Sequence, residues 1–392
     1  MISVEEALRR VLALAPPPQA EEVALDEADG RVLLAPARAA FDQPPFDAAV
    51  MDGYALRLDD LRQNATLMVV GEAAAGHELT RPLGPGEAAR IFTGAPLPPG
   101  AGAVVMQEDV SREGDRITLT GCPRGTHIRP RGSDFKQDQI LEAPRLLNAR
   151  TLSLLAAMNV PRVTVARRPR VAVLATGDEL VEPGQSPGPG QIICSNNYAL
   201  TAMARAAGAD ARMLPIARDT ETSLRAAFAA ASGADVIVTI GGASVGDYDL
   251  VGRVAADLGL ERAFYRIAMR PGKPLMAGTL GASVLLGLPG NPVSSIVCGA
   301  IFMQPLIRAM QGLTTPQRTI RARLAADVGP AGNRTHFMRA TLSPGDDLPT
   351  VTAFTDQDSG LLSLLSQADG LLIRPADDGP RRAGEVVDVL PF

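Results

Sequence analysis

An apolar run, Val236-Ile237-Val238-Thr239-Ile240, passes directly into Gly241-Gly242-Ala243-Ser244-Val245-Gly246-Asp247-Tyr248-Asp249. A short apolar run closed by glycines predicts a buried strand, and the helical pattern over 250–258 predicts the strand–loop–helix unit of an α/β sheet. Glycines let backbone N–H groups approach an anion closely, and the following helix would turn its N-terminus to the same point. The loop therefore reads as a cradle for a phosphate-like group. It also matches the G-x-S-x-G nucleophile elbow, with Ser244 as nucleophile. That reading needs a histidine base after the serine, and only His336 follows it, since His77 and His127 come earlier. A glycine loop that merely turns the chain is the third reading.

Strands alternate with helices around this loop. The pattern predicts strands over 171–175, 212–216, 236–240, 264–267, 275–278 and 284–287, and helices over 196–207, 221–231 and 292–310, which is a mostly parallel, doubly wound sheet. We assign this α/β domain to 169–317. Short β segments separated by Gly and Pro fill 39–137, a β-rich insert. The flanking pieces 1–38 and 138–168 carry helical periodicity and read as one discontinuous helical linker domain. β texture returns over 319–324, 337–342, 350–354 and 386–390, giving a C-terminal β domain at 318–392. Ser3 followed by Glu6 reads as a capping box for the first helix.

With 38 basic and 43 acidic residues and no basic run, the chain offers nothing for nucleic acid or an anionic membrane. The expected ligand is small. Cys122, Cys194 and Cys298 form no C-x-x-C, which excludes a zinc ribbon and fits a reduced, cytoplasmic setting. With three histidines, any metal is expected to be hard and oxygen-bound, such as Mg²⁺. The longest apolar stretch, near 283–303, is interrupted by Pro289, Asn291 and Pro292, so a soluble protein is expected.

Three strand ends deliver carboxylates to one sheet edge: Thr176-Gly177-Asp178-Glu179-Leu180, Ala217-Arg218-Asp219-Thr220, and the 241–249 loop with Asp249. Clustered carboxylates repel unless a cation neutralises them, so Glu179, Asp219 and Asp249 read as a Mg²⁺ set, with helix capping as the competing role, above all for Asp219. Arg270-Pro271-Gly272-Lys273-Pro274 adds two cations. Leu288-Pro289-Gly290-Asn291-Pro292-Val293-Ser294-Ser295 precedes the long helix and offers an anion nest. A phosphate bridged by Mg²⁺ to these carboxylates, with a second anion on the cations, satisfies the whole set.

These loops, in this order, resemble the molybdopterin molybdenumtransferase family, MoeA in bacteria and the gephyrin E domain in animals. The insert agrees through Pro44-Pro45-Phe46-Asp47, Met51-Asp52-Gly53-Tyr54-Ala55, Ile91-Phe92-Thr93-Gly94-Ala95-Pro96, Val104-Val105-Met106-Gln107-Glu108 and Ile128-Arg129-Pro130-Arg131-Gly132-Ser133-Asp134. The resemblance spans nearly the whole chain. It implies an elongated multidomain fold and an enzyme that inserts molybdenum from molybdate into adenylylated molybdopterin with Mg²⁺, releasing AMP. It further implies a homodimer with shared active sites, and transient contact with a molybdopterin adenylyltransferase and with apo-molybdoenzymes. By position, Asp52, Asp134, Glu179, Asp219 and Asp249 match acids that serve substrate, metal or catalysis. Thr93, Gly94, Thr176, Gly177, Gly241, Gly242, Ser244, Gly246, Arg270, Gly272, Lys273, Pro274, Pro289, Gly290, Asn291, Ser294, Arg334 and Ser359 match or lie near substrate-binding positions. Three departures stand out: Ala49 where the family usually has serine, Arg270 where lysine is frequent, and His336 where an acid is common. The alternatives are an adenylyltransferase, an ester hydrolase using Ser244, and a non-enzymatic scaffold.

Overall fold

The computed structural model describes residues 1–121, 125–242, 250–314 and 318–392. It divides into two compact units, one of Met1–Glu21, Gly30–Leu34 and Val165–Phe392, the other of Glu22–Asp29 and Ala35–Thr164. The two helices expected in one discontinuous helical domain fall in different units, Val4–Ala13 in the first and Ala149–Ala157 in the second. Their caps differ as well. Asn148 accepts from the backbone N–H of Thr151 while Thr151 Oγ1 accepts from the N–H of Asn148, a complete capping box. Ser3 accepts from the Glu6 N–H, but the Glu6 carboxylate is taken by Arg9 and Arg10, so the expected box is half made.

The first unit is built on a six-stranded sheet ordered Asp210–Met213, Arg170–Ala175, Val236–Ile240, Ser283–Leu288, Pro274–Leu280, Leu260–Arg266. The first four run parallel and the last two antiparallel to their neighbours. Alternate side chains enter two cores, as the period of a strand requires. Val171, Val173, Val236, Val238 and Leu286 meet Leu200, Val297 and Phe302 on one face. Ala172, Leu174, Ile237 and Leu285 meet Leu224, Phe228, Val251 and Val254 on the other. Burial on both faces explains why the Val236–Ile240 strand reads as a continuous apolar run rather than an alternating one.

Pro292–Ala309 is long and apolar enough to cross a membrane by composition, yet it is 67% buried inside the unit. Pro292 breaks the apolar stretch 283–303, as the sequence reading expected. It starts the helix, because the first turn has no intrahelical use for its missing N–H.

The C-terminal residues form a second sheet, ordered Met269–Arg270, Thr335–Ser343, Thr350–Ala353, Ile320–Leu324, Val386–Pro391, Gly370–Arg374. Pairing of Gly370–Arg374 back onto Thr335–Ser343 closes it into a barrel. The strand Gly370–Arg374 is absent from the sequence reading; its signal was the short run Leu371-Leu372-Ile373. Met269–Arg270, from the α/β part of the chain, joins this sheet in parallel and places Arg270 opposite His336.

The second unit carries a six-stranded sheet from Ala103–Met106, Gly53–Leu56, Glu87–Ile91, Thr66–Ala73, Arg116–Leu119 and Val110–Glu113. Ala55, Ile91 and Val104 fill one face, Tyr54, Leu56 and Val105 the other.

Candidate functional site

A cavity of about 460 Å³ opens at the carboxyl ends of the parallel strands, where open α/β sheets bind ligands. Three loops build it from the backbone up. Thr176 continues the Arg170–Ala175 strand, its N–H donating to the Ile240 carbonyl (3.0 Å), and the Gly177 N–H donates to the Ala217 carbonyl (3.1 Å). The Gly241 N–H donates to the Leu288 carbonyl (3.1 Å), which fastens the glycine loop to the next strand. Gly241 and Gly242 have φ of +88° and +64°. A Cβ at Gly241 would sit 2.8 Å from the Thr176 carbonyl oxygen, and one at Gly242 would enter the Val251 side chain. Only glycine fits both positions. Gly290 packs against Gly241, and Asn196 Nδ2 holds its carbonyl at 2.7 Å.

Of the residues singled out in the sequence, Thr176, Gly177, Glu179, Asp219, Gly241, Gly242, Pro274, Pro289, Gly290 and Asn291 line this cavity. Ser244, Gly246 and Asp249 lie outside the described residues. Asp219 is not the cap of the helix Glu221–Ala230: Thr220 takes that place, accepting from the Ser223 N–H at 3.2 Å. With capping assigned to its neighbour, the Asp219 carboxylate is left facing the cavity. Among the described residues neither Glu179 nor Asp219 has an ion-pair partner or a hydrogen bond to its carboxylate. Two exposed, unpaired carboxylates of one sign fit a hard cation that takes one or two carboxylates and completes its shell from water and substrate phosphate. No group of three acidic, histidine or cysteine side chains gathers as a metal cage among the described residues.

Sequence reasoning missed the residues that hold these acids. Asp178 Oδ1 accepts from the Asp219 N–H (3.1 Å), tying two of the loops together. Arg218 Nη1 donates to the carbonyls of Asp178 (3.1 Å) and Leu180 (3.0 Å) on either side of Glu179. Their adjacency to Glu179 and Asp219 in sequence was the available signal. Cys194 also lines the cavity; burial, then the charge of Glu182, pushes its thiol up to about 11, so it stays protonated and is no nucleophile at neutral pH.

Arg270 and Lys273 come from the turn that leads into the lining residue Pro274, and Arg334 comes just before the barrel strand Thr335–Ser343. Lys273 immediately precedes the lining residue Pro274. Gly272 has φ +106°, and a Cβ there would come 2.5 Å from Cys298 Sγ, so the turn that presents Lys273 is built around a missing side chain. Arg334 Nη1 reaches the Met269 carbonyl at 3.5 Å, beside Arg270. None of Arg270, Lys273 and Arg334 has an ion-pair partner among the described residues. Ser294 is buried at 5% exposure in the helix behind Asn291. Ser359 comes from the barrel: its hydroxyl accepts from Asn291 Nδ2 (3.0 Å), and its carbonyl accepts from the Val293 N–H (3.0 Å).

His336 stands among these cations at 8% exposure. Burial first, then the charges of Arg270, Arg334, Arg374 and Arg339, push its pKa down to about 4. It is neutral at physiological pH and brings no countercharge to Arg270 or Arg334. A consequence for stability follows from linkage. Between pH 6.5 and about 4 the unfolded chain binds a proton at His336 that the folded chain does not, so the folded state loses stability as pH falls through this window. His336→Gln should remove that loss, up to ~3 kcal/mol at pH 4. Urea unfolding of both proteins from pH 7 to 4 checks it; parallel profiles would contradict the assignment.

Asp52, Thr93, Gly94 and Asp134 belong to the second unit. Asp52 Oδ1 accepts from the Thr93 N–H (2.7 Å) and Thr93 Oγ1 (2.8 Å), bonds that hold its carboxyl below the usual carboxylate range. Asp52 is therefore a fixed, ionised acceptor. Gly94, at φ +82°, follows Thr93 in the same turn. Asp134 lines a separate recess of about 390 Å³ with Gln43, Pro44, Arg129 and Ser133.

Family models match the chain over almost its whole length: the MoeA N-terminal region (domain I and II) at residues 2–159, a "probable molybdopterin binding domain" at 172–309, and the MoeA C-terminal region (domain IV) at 321–392. The molybdopterin molybdenumtransferase of Nostoc sp. is 38% identical, with 94% of this chain and 88% of the relative aligned. This chain belongs to the MoeA family. The molybdopterin molybdenumtransferase of Haemophilus influenzae is 34% identical across 100% of this chain and 99% of its own. Two crystal structures of the molybdopterin biosynthesis MoeA protein of Pyrococcus horikoshii superpose with TM-scores of 0.84 and 0.85, at 32% and 26% identity, covering 100% of this chain and at least 99% of theirs. The glycine loop, the Arg270–Pro274 turn and the nest at Pro289–Pro292 are thus parts of a MoeA-type α/β domain. The barrel that supplies Ser359 and Arg334 lies within the match to MoeA domain IV.

Proposed function

We propose that the protein inserts molybdenum from molybdate into adenylylated molybdopterin, releasing AMP and forming molybdenum cofactor in a Mg²⁺-dependent transfer. The observation that carries this reading is the carboxylates Glu179 and Asp219, unpaired among the described residues, in a cavity whose lining residue Pro274 follows Lys273, with Arg270 and Arg334 close to His336. Such a site suits a ligand that brings phosphate and a separate oxyanion together. The names of the curated relatives agree with it.

In this reading Glu179 and Asp219 would hold Mg²⁺, which when bound neutralises the pyrophosphate charge that grows as the adenylate is cleaved. The N–H groups of the Gly241-Gly242 loop and of the start of the Pro292–Cys298 helix receive phosphate oxygens. Arg270 and Arg334 seat molybdate, a tetrahedral dianion, and the forked guanidinium donors give Arg270 an oxyanion grip that a lysine lacks. Neutral His336 keeps that seat fully positive. Asp52, ionised and fixed by Thr93, accepts a hydrogen bond from the attacking water and orients it.

We assign Asp52 to the partner subunit of a homodimer, so that each active site is shared. Mixing Asp52→Ala with Glu179→Ala then restores activity in randomly formed heterodimers, to about a quarter of wild type, because half the dimers are mixed and each holds one intact site. The mixture should be assayed after joint refolding; activity no higher than either parent would show that each chain works alone. The ester-hydrolase alternative is weak on its base: His336, with a pKa of about 4 among arginines, is a poor proton acceptor.

A further inference from the structure

The opposite end of the α/β sheet carries a second concentration of charge. At the amino ends of the Arg170–Ala175 and Asp210–Met213 strands lies a recess of about 600 Å³, within the range of small-molecule sites. With strands of about 3.3 Å rise per residue, it is separated from the candidate site by roughly 20 Å of sheet. Arg167, Arg168, Arg170 and Arg205 line it, in a chain whose net charge is −5.

The four guanidiniums are not equivalent. Arg167 is neutralised, its Nη2 donating to both Asp235 carboxylate oxygens at 3.0 Å. Arg170 lies 3.5 Å from the same carboxylate. Among the described residues Arg168 and Arg205 are held by carbonyl oxygens alone: Arg168 Nη1 to Gly208 (3.4 Å), Arg205 Nε and Nη2 to Ala211 (3.1 and 2.8 Å). A carbonyl orients a guanidinium without cancelling its charge. Two acids share the lining. Glu21 is committed to Arg31, and Asp210 stands exposed at the rim, where it opposes an anion that the arginines must outweigh.

We propose that this recess is a second anion site, taking a small molecule with two phosphate-type groups, with Arg168 and Arg205 as the cations that grip it. Inorganic pyrophosphate is the probe. Isothermal titration of the full chain should show two classes of pyrophosphate site. Arg168→Ala with Arg205→Ala should weaken one class at least about tenfold, raised salt should do the same, and Arg168→Lys with Arg205→Lys should restore part of the loss. Hydrogen exchange on the unmodified protein needs no variant to fold: pyrophosphate should protect 167–170 and 205–211. Protection confined to 176–180, 241–242 and 289–292, or a single class of site unaffected by the double alanine variant, would overturn the proposal. Failure of the molybdenum-transfer reading would at most remove the other class of site and would leave the class lost in the double alanine variant untouched, because the two residue sets do not overlap.

Discussion

Glu179→Ala combined with Asp219→Ala should lower AMP release from adenylylated molybdopterin by about 10²–10³-fold, the size of loss seen when a preorganised charge-stabilising group is removed. The stability of the fold should hardly change, within about 0.5 kcal/mol of wild type, because neither carboxylate makes a protein hydrogen bond or ion pair among the described residues. This combination separates a ligand site from a structural one. A carboxylate that earned its place by capping or pairing would cost stability when removed, as Asp178 should, since its Oδ1 holds the Asp219 N–H. Steady-state AMP release and urea unfolding on the same preparations supply both readouts. Loss of stability without loss of turnover would mean that the acids hold the loops and nothing else.

Arg339→Ala should have the opposite profile, destabilising the protein by about 3–5 kcal/mol. Arg339 is 1% exposed in the barrel strand Thr335–Ser343. Its Nη1 donates to the Leu361 carbonyl (3.0 Å) and Nη2 to the Asp356 carbonyl (3.1 Å), while its backbone N–H donates to Gln357 Oε1 (3.0 Å). Burial lowers the Arg339 pKa, with Asp356 and Asp358 opposing, so this cation persists because these carbonyls and carboxylates surround it. Truncation leaves the Leu361 and Asp356 carbonyls without the Arg339 donors and loosens the segment 356–361. That segment carries Ser359, which meets Asn291 and Val293 at the nest. Affinity for the adenylylated pterin, whose phosphate the nest receives, should therefore weaken along with stability, and Arg339→Lys should recover part of both. A loss below 1 kcal/mol in equilibrium unfolding would refute the role given to Arg339.

The α/β domain was legible because burial on both sheet faces leaves a strong mark: four apolar residues and one threonine at 236–240, then glycines that no other residue can replace. The clustering of Glu179 and Asp219 followed from that topology, since parallel strands deliver their carboxyl-end loops to one edge. The supporting contacts were not legible. Arg218 reaches back about forty residues in sequence to the Glu179 loop, and Asp178 forward to Asp219, and no local pattern encodes such pairs. The competing cap role weighed for Asp219 falls to Thr220, because both residue types cap and only φ and ψ decide between them. Pro292 was legible as the start of the helix over 292–310, because the first turn has no use for its missing N–H. His336 was visible only as a departure from the family pattern. Its neutral state among four arginines needed the strand pairing that sets it against Arg270.

The most direct test of the account is AMP release by the purified protein from adenylylated molybdopterin with Mg²⁺, measured with and without molybdate. The account predicts release that depends on molybdate and is matched by molybdenum cofactor formed. Release at the same rate without molybdate, or no release at all, would contradict it.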